Sequence, residues 1–136
     1  MYRLRYEGLP VYEKQFGGKI SVVEGDTDSF FLTVRGISIS QQLLPAMAKD
    51  GLLDSSNYPH DHSLYSSVAK VELGRIKDEC AGVAIQEAVF LRPKCYSLLL
   101  SSQKSHKRAK GIQRCVLQNH ISHSDYVNVC VLYVSL

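Results

Sequence analysis

The stretch SVVEGDTDSFFLTVRG (residues 21–36) sets two apolar, β-branched runs on either side of Gly25, Asp26, Thr27, Asp28 and Ser29. Gly and Asp tolerate the tight backbone of a turn. The flanking Val, Phe, Leu and Thr residues favour strands. The run therefore predicts an antiparallel hairpin whose tip carries two carboxylates one residue apart. Like charges that close ionise together only where a cation sits beside them, and a divalent metal is the obvious candidate. Asp is also a common turn residue, so a plain turn accounts equally well for these five residues taken alone.

The rest of the chain predicts an α+β fold. Residues 1–7 read as the end of a helix, stopped by Gly8 and Pro10. SISQQLLPAMAKDG (residues 38–51) has a Ser cap, apolar residues at helical spacing and a Gly stop, with Pro45 acceptable only in the first turn. LLDSSNYPHDHSLYSS (residues 52–67) is polar and turn-rich, an ordered loop. VELGRIKDE, VAIQEAVFL and KCYSLLL read as three strands of a small antiparallel sheet, the first two joined through CAG (residues 80–82). QKSHKRAKG (residues 103–111) reads as a basic loop. IQRCVLQNHIS and HSDYVNVCVLYV read as short C-terminal helices. At 136 residues this is one domain or a part of one.

The net charge of +3 hides an uneven distribution. Residues 1–87 hold nine Lys/Arg and twelve Asp/Glu, a net −3, whereas residues 88–136 hold seven Lys/Arg and only Asp125, a net +6. An acidic half joined to a basic half suits a metal-binding part beside a part that grips a polyanion. Basic residues that merely solvate one face would give the same tally. No apolar run reaches the roughly 18 residues of a membrane span, and the first ten residues lack the apolar core of a secretory signal. The cysteines, Cys80, Cys95, Cys115 and Cys130, form no C-x-x-C pair and read as reduced thiols of an intracellular protein, nuclear or cytoplasmic rather than secreted. His60, Asp61 and His62 lack a third ligand and read as loop structure, and His120 and His123 as surface residues at a helix end.

Three metal chemistries compete for the paired aspartates. A calcium loop of the EF-hand type needs Gly at its sixth position and Glu at its twelfth. Counted from Asp26 those positions hold Phe31 and Ile37, which excludes it. A D-x-D site of a sugar-nucleotide transferase needs an α/β nucleotide-binding unit before it. Only 25 residues precede Asp26, fewer than the ~30 of a single βαβ unit. The third is two-metal phosphoryl transfer, in which carboxylates on a rigid strand turn hold cations roughly 3.5–4 Å apart. A hairpin suits this chemistry because its strands fix the carboxylates while its tip stays open.

The third option has further support along the chain. GDTDS between apolar strands resembles the Y-x-D-T-D-S palm hairpin of family B DNA polymerases. LDSSNYPHDHSLYS resembles a loop of the protein-primed members found in Maverick/Polinton transposons and related viruses. LGRIKDE resembles their L-G-K-F-K-D-E strand, FLRPKCYSLLL their L-R-P-K-x-Y-S segment, and KRAKGIQRCV their K-K-A-K-G-V stretch. MYRLRY fits the helix before the hairpin, and ISHSDYVNVC the helix leading towards the thumb. The likeness covers almost the whole chain with its motifs in order.

This resemblance implies a palm fragment of a DNA-directed DNA polymerase, a nucleotidyltransferase of DNA replication that uses Mg2+ or Mn2+. The 136 residues then form a single partial domain: hairpin and helix over 1–50, loop and sheet over 51–100, basic loop and helices over 101–136. Asp28 is the implied principal metal ligand and catalytic carboxylate, with Asp26 supporting it near the primer end. Thr27 and Ser29 shape the turn. Lys94 and Tyr96 match a K-x-Y motif that contacts the primer strand. Lys107, Arg108 and Lys110 are implied DNA backbone contacts, and Gly111 lets the chain turn close to the duplex. The partners are a DNA primer–template and deoxynucleoside triphosphates. Glu24 stands where the family has the motif tyrosine. The family's other metal-binding aspartate, in a D-x-x-S-L-Y-P-like motif, and its fingers helix have no counterpart in these residues. The expectation is therefore that the isolated chain is inactive and works, if at all, with the remaining polymerase portions. A non-catalytic DNA-binding remnant is the alternative.

Overall fold

The computed structural model describes residues 3–25, 28–68 and 73–134. The architecture is α+β, with helices, a β-hairpin, a small antiparallel sheet and short C-terminal helices. The chain divides into two units, Met1–Gly82 and Val83–Leu136, each with its own apolar cluster.

Two prolines shape the helices of the first unit. A wide helical turn over Leu4–Gly8, closed by the Leu9 N–H on the Leu4 carbonyl, leads into α1 (Leu9–Phe16). A second wide turn over Ile39–Leu43, closed by the Leu44 N–H on the Ile39 carbonyl, leads into α2 (Leu44–Lys49). Pro10 and Pro45 each fall in the first α-helical turn that follows. A proline ring clashes with the carbonyl four residues back and has no N–H to give. Widening the preceding turn by one residue moves that carbonyl away. Gly8 and Pro10 thus do not stop the first helix, contrary to the expectation from sequence. It ends at Gly17, in the left-handed conformation at φ 70°, where a side chain would be strained. Ser38 caps the second helical segment, its hydroxyl accepting from the Gln41 N–H at 3.3 Å while Gln42 Oε1 accepts from the Ser38 N–H at 2.8 Å. The reciprocal pair satisfies two donors that the helix leaves open.

β1 (Lys19–Gly25) and β2 (Phe30–Arg35) pair antiparallel from Lys19–Arg35 to Gly25–Phe30, with an extra residue inserted between Val22 and Glu24. Strand alternation sends Ile20, Val22, Leu32 and Val34 into the cluster built on Leu4, Leu9, Tyr12, Leu43 and Met47. The same alternation leaves Lys19, Ser21, Thr33 and Arg35 exposed. Gly18 is required at the start of β1, because a Cβ there would collide with Ile37 and the Arg35 carbonyl.

Of the expected VELGRIKDE strand, only β4 (Ile76–Lys77) forms among the described residues, and it pairs in parallel with β3 (Leu53–Asp54). Leu73 is fully exposed and Gly74 takes φ 89°, so the described residues just before β4 bury no alternating face. Nor does CAG join a hairpin, since β4 and the next strand belong to different sheets.

The ordered loop after β3 is held by Asp78. Its carboxylate accepts from the Tyr58 hydroxyl at 2.7 Å and from the Cys80 and Gly82 N–H groups at 2.9 Å, and its carbonyl accepts from the Asn57 amide at 2.8 Å. Ser55 Oγ donates to the Leu64 carbonyl at 2.5 Å. Tyr58 is buried, and burial with the adjacent Asp78 pushes its hydroxyl well above the usual tyrosine value. His62 packs edge-on against Tyr58 and His60 against Tyr65, so both histidines serve the loop.

In the second unit β5 (Ile85–Arg92), β6 (Cys95–Leu100) and β7 (Ser105–Ala109) form an antiparallel sheet in that order. The expected basic loop is thus an edge strand. Backbone pairing to β6, from Cys95–Ala109 to Leu99–Ser105, overrides a charged composition that seldom forms strands. α3 (Arg114–His120) packs on β7, and α4 (His123–Val134) on β5 and β6. The cluster between them is built on Val89, Leu117 and Tyr126. Among the described residues no helix is long and apolar enough to cross a membrane.

Asp78→Ala removes three acceptor contacts at once and is expected to destabilise the chain by about 2–4 kcal/mol in urea denaturation. Burial first, then Asp78 and Glu79, pushes the Cys80 thiol up to about 11. At pH 8 it stays protonated and slow, so iodoacetamide is expected to label the exposed Cys115 before Cys80, as read by peptide mass mapping.

Candidate functional site

The connection between β1 and β2 runs from Gly25 to Phe30, which face each other across the last rung of the hairpin. Asp28 and Ser29 lie in it and are exposed. Asp26 and Thr27 lie outside the described residues. A strand pair packed on α1 and α2 from one side thus presents the Asp28 carboxylate to solvent. Among the described residues no group of three or more His, Cys, Asp or Glu side chains is arranged to hold a metal ion. Two bridged cations need several carboxylates between them. One described carboxylate does not make up that seat, so the described tip does not by itself fit a two-metal centre.

The basic candidates gather in the second unit. Pro93 and Lys94 form the tip between β5 and β6, closed by the Arg92–Cys95 pair. Lys94 takes φ 62°, a left-handed conformation that is costly for a residue with a Cβ. Proline at the first tip position with positive φ at the second is the combination of a type II turn. Tyr96 pairs with Phe90 on one side and Arg108 on the other, and its ring lies 5.9 Å from that of Phe90. The Lys110 N–H donates to the Lys94 carbonyl at 3.1 Å. Lys94, Tyr96, Arg108 and Lys110 therefore share one end of the sheet, with Arg108 and Lys110 exposed. Gly111 follows at φ 93° and turns the chain towards α3.

Lys107 is different. It pairs with Ser97, so it points to the opposite face from Tyr96 and Arg108. Its ammonium donates to the carbonyls of Ile121 and, at 3.4 Å, Gln118. A cation there satisfies open carbonyls at the C-terminal end of α3 and complements the helix dipole. Lys107 has a place in the fold, and the cation left on the Tyr96 face is Arg108, followed by Lys110 at the strand end.

One cluster has no counterpart in the expectations from sequence. Ser97 is 0 % exposed, and its hydroxyl shares a 2.7 Å hydrogen bond with His123 Nδ1. His123 Nε2 lies 3.5 Å from Glu87 Oε2. The side chain of His123 is only 12 % exposed, which corrects the expectation of a surface histidine. The order Ser–His–Glu has the look of an acyl-transfer relay, but a nucleophile must reach its substrate. Ser97 lies under α4 with no surface open to solvent. The cluster pins the first residue of α4 to β5 and β6. The visible signal in the sequence is the capping box that starts the helix. The Ser122 N–H and hydroxyl both donate to Asp125 Oδ2, at 2.7 and 2.8 Å. The Asp125 N–H donates back to Ser122 Oγ at 3.2 Å. These bonds hold the Asp125 carboxyl below the usual carboxylate range. The Tyr126 hydroxyl donates to the Arg108 carbonyl at 2.9 Å, tying α4 to β7 as well.

No protein-family model, curated protein or solved structure matches this chain.

A carboxyl depressed in the folded state stabilises that state above its unfolded value, about 3.9 for Asp, and the contribution fades as pH falls through the folded value. Asp125→Asn is thus expected to melt below the parent at pH 7. The difference should shrink as pH falls below the unfolded value of about 3.9 in melts followed by circular dichroism.

Proposed function

We propose that this chain is a palm segment of a family B DNA polymerase. It supplies the hairpin-tip carboxylates Asp28 and Asp26 and a primer–template grip made by Lys94, Tyr96, Arg108 and Lys110. The single observation that carries this reading is the ordered run of motifs, from GDTDS through RPKCYS to KRAKG. Two structural features support it. Asp28 stands exposed at the end of an antiparallel hairpin. Tyr96, Arg108 and the Lys94 turn meet at one end of a second sheet. Phosphate contacts from such cations position a duplex without reading its sequence.

Magnesium or manganese is the cofactor this reading calls for, and its seat needs carboxylates beyond Asp28. The chain alone is therefore expected to give no magnesium-dependent primer extension, while still binding duplex DNA in a salt-sensitive way. The second reading is a DNA-binding remnant without catalysis, and the exposed cations Arg108 and Lys110 support it as well as the first. Manganese separates the two. In the presence of DNA, paramagnetic Mn2+ should broaden the amide signals of Asp28 and Ser29, and Asp28→Ala should abolish the effect while duplex affinity persists. No broadening at the tip would leave only the remnant. If Arg108→Ala and Lys110→Ala together leave duplex affinity and its salt slope unchanged, both readings fall.

A further inference from the structure

The open face of the β1–β2 hairpin carries a charge arrangement that the polymerase reading does not use. Lys19 and Arg35 are direct partners across the two strands, and Ser21 and Thr33 form a partner pair two residues further along. All four side chains are exposed, and together they line a shallow recess of about 190 Å³. Directly opposed side chains on one face approach to about 5 Å between Cβ atoms, and like charges placed so destabilise a sheet. Among the described residues neither cation has an ion-pair or hydrogen-bond partner. The carboxylate of Glu13, which reaches the start of β1, accepts the Ile20 N–H at 2.6 Å. Among the described residues no carboxylate forms an ion pair with either cation, so the two charges face each other across the rung.

We propose that Lys19, Ser21, Thr33 and Arg35 form a seat for a phosphate group. Two cations bring the charge, Arg35 brings a forked donor that fits phosphate oxygens, and the two hydroxyls add neutral donors beside it. A bound oxyanion turns the opposed charges from a cost into an attraction shared by both. The recess is shallow and lined on one side only, so it fits a phosphate presented from outside rather than an enclosed metabolite. The seat involves no metal and no tip carboxylate, and it stands apart from the polymerase reading.

The experiment uses the full chain in EDTA at low salt, and compares it with the Lys19→Gln/Arg35→Gln double variant. The amide signals of Ser21 and Thr33 are followed on adding inorganic phosphate, and separately on adding a 20-base-pair duplex. A duplex-induced shift that vanishes in the variant, with a salt dependence of log K shallower by about 1 for the one phosphate lost, assigns the seat to a nucleic-acid backbone. A shift with inorganic phosphate alone, lost in the variant while duplex affinity is unchanged, assigns it to a free phosphate group. If neither probe moves these signals, the proposal is overturned. Melting in phosphate-free buffer gives an independent check. Lys19→Gln should melt no lower than the parent, because it removes a repulsion, and a clear drop would overturn the proposal. None of these readouts involves synthesis or manganese, so failure here and failure of the polymerase reading are told apart.

Discussion

The register of the β1–β2 hairpin is the constraint on which the first unit depends. Side chains alternate with a period of two, so a slip of one residue would exchange the faces. In the observed register Ile20, Val22, Leu32 and Val34 close the core against α1 and α2. Slipped by one, Lys19, Ser21, Thr33 and Arg35 would be buried instead, at a cost no partner in that core could offset. The apolar face thus fixes where the strands end, and that fixes where Asp28 stands. The extra residue between Val22 and Glu24 adds local twist near the tip. Gly18, at the foot of the same hairpin, permits the close approach of Ile37.

A comparable logic orders the second unit. β6 lies between β5 and β7, and its side chains alternate between the helix-covered face and the other. Ser97 falls on the covered face and is met by His123. Tyr96 falls on the other, beside Arg108. Lys107 and Arg108 are neighbours in sequence with the same charge, yet one stitches the end of α3 and the other remains exposed. Three polar attachments tie α4 to the sheet, the Ser97–His123 bond, the Glu87–His123 pair and the Tyr126 hydroxyl on β7, while the Ser122–Asp125 box caps its start. Tyr126, Val127 and Cys130 of the same helix pack into the apolar cluster with Val89 and Leu117.

Much of the fold was legible in the residues. The hairpin followed from β-branched runs around a Gly-Asp turn, the second helix from its Ser cap and Gly stop, and the last two helices from apolar spacing. The loop within residues 52–67 was legible from its polar, turn-rich composition. What escaped had physical reasons. SHKRA (residues 105–109), within the expected basic loop, has the composition of a loop and becomes a strand only because β6 offers an unpaired edge. Gly8 and Pro10 have the composition of a stop, and the widened turn before them removes the clash that would make them one. His123 gave no hint of burial, since its partners Ser97 and Glu87 are 26 and 36 residues away in sequence. The candidate site divides in the same way. Asp28 at a turn, and Lys94 with Tyr96 near another, were readable locally. The separation of Lys107 from Arg108 and Lys110 was not.

Local alternatives are written in the residues alone: which runs can be strands, which residues can turn or cap, and where charge accumulates. These depend on backbone sterics and side-chain spacing within a few residues. The folded chain settles which charges share a face, that Lys107 serves a helix end, and that Lys19 and Arg35 confront one another across a rung. Those outcomes depend on strand register and sheet order, set by burial of apolar side chains drawn from distant parts of the chain, and no short window of residues contains that information.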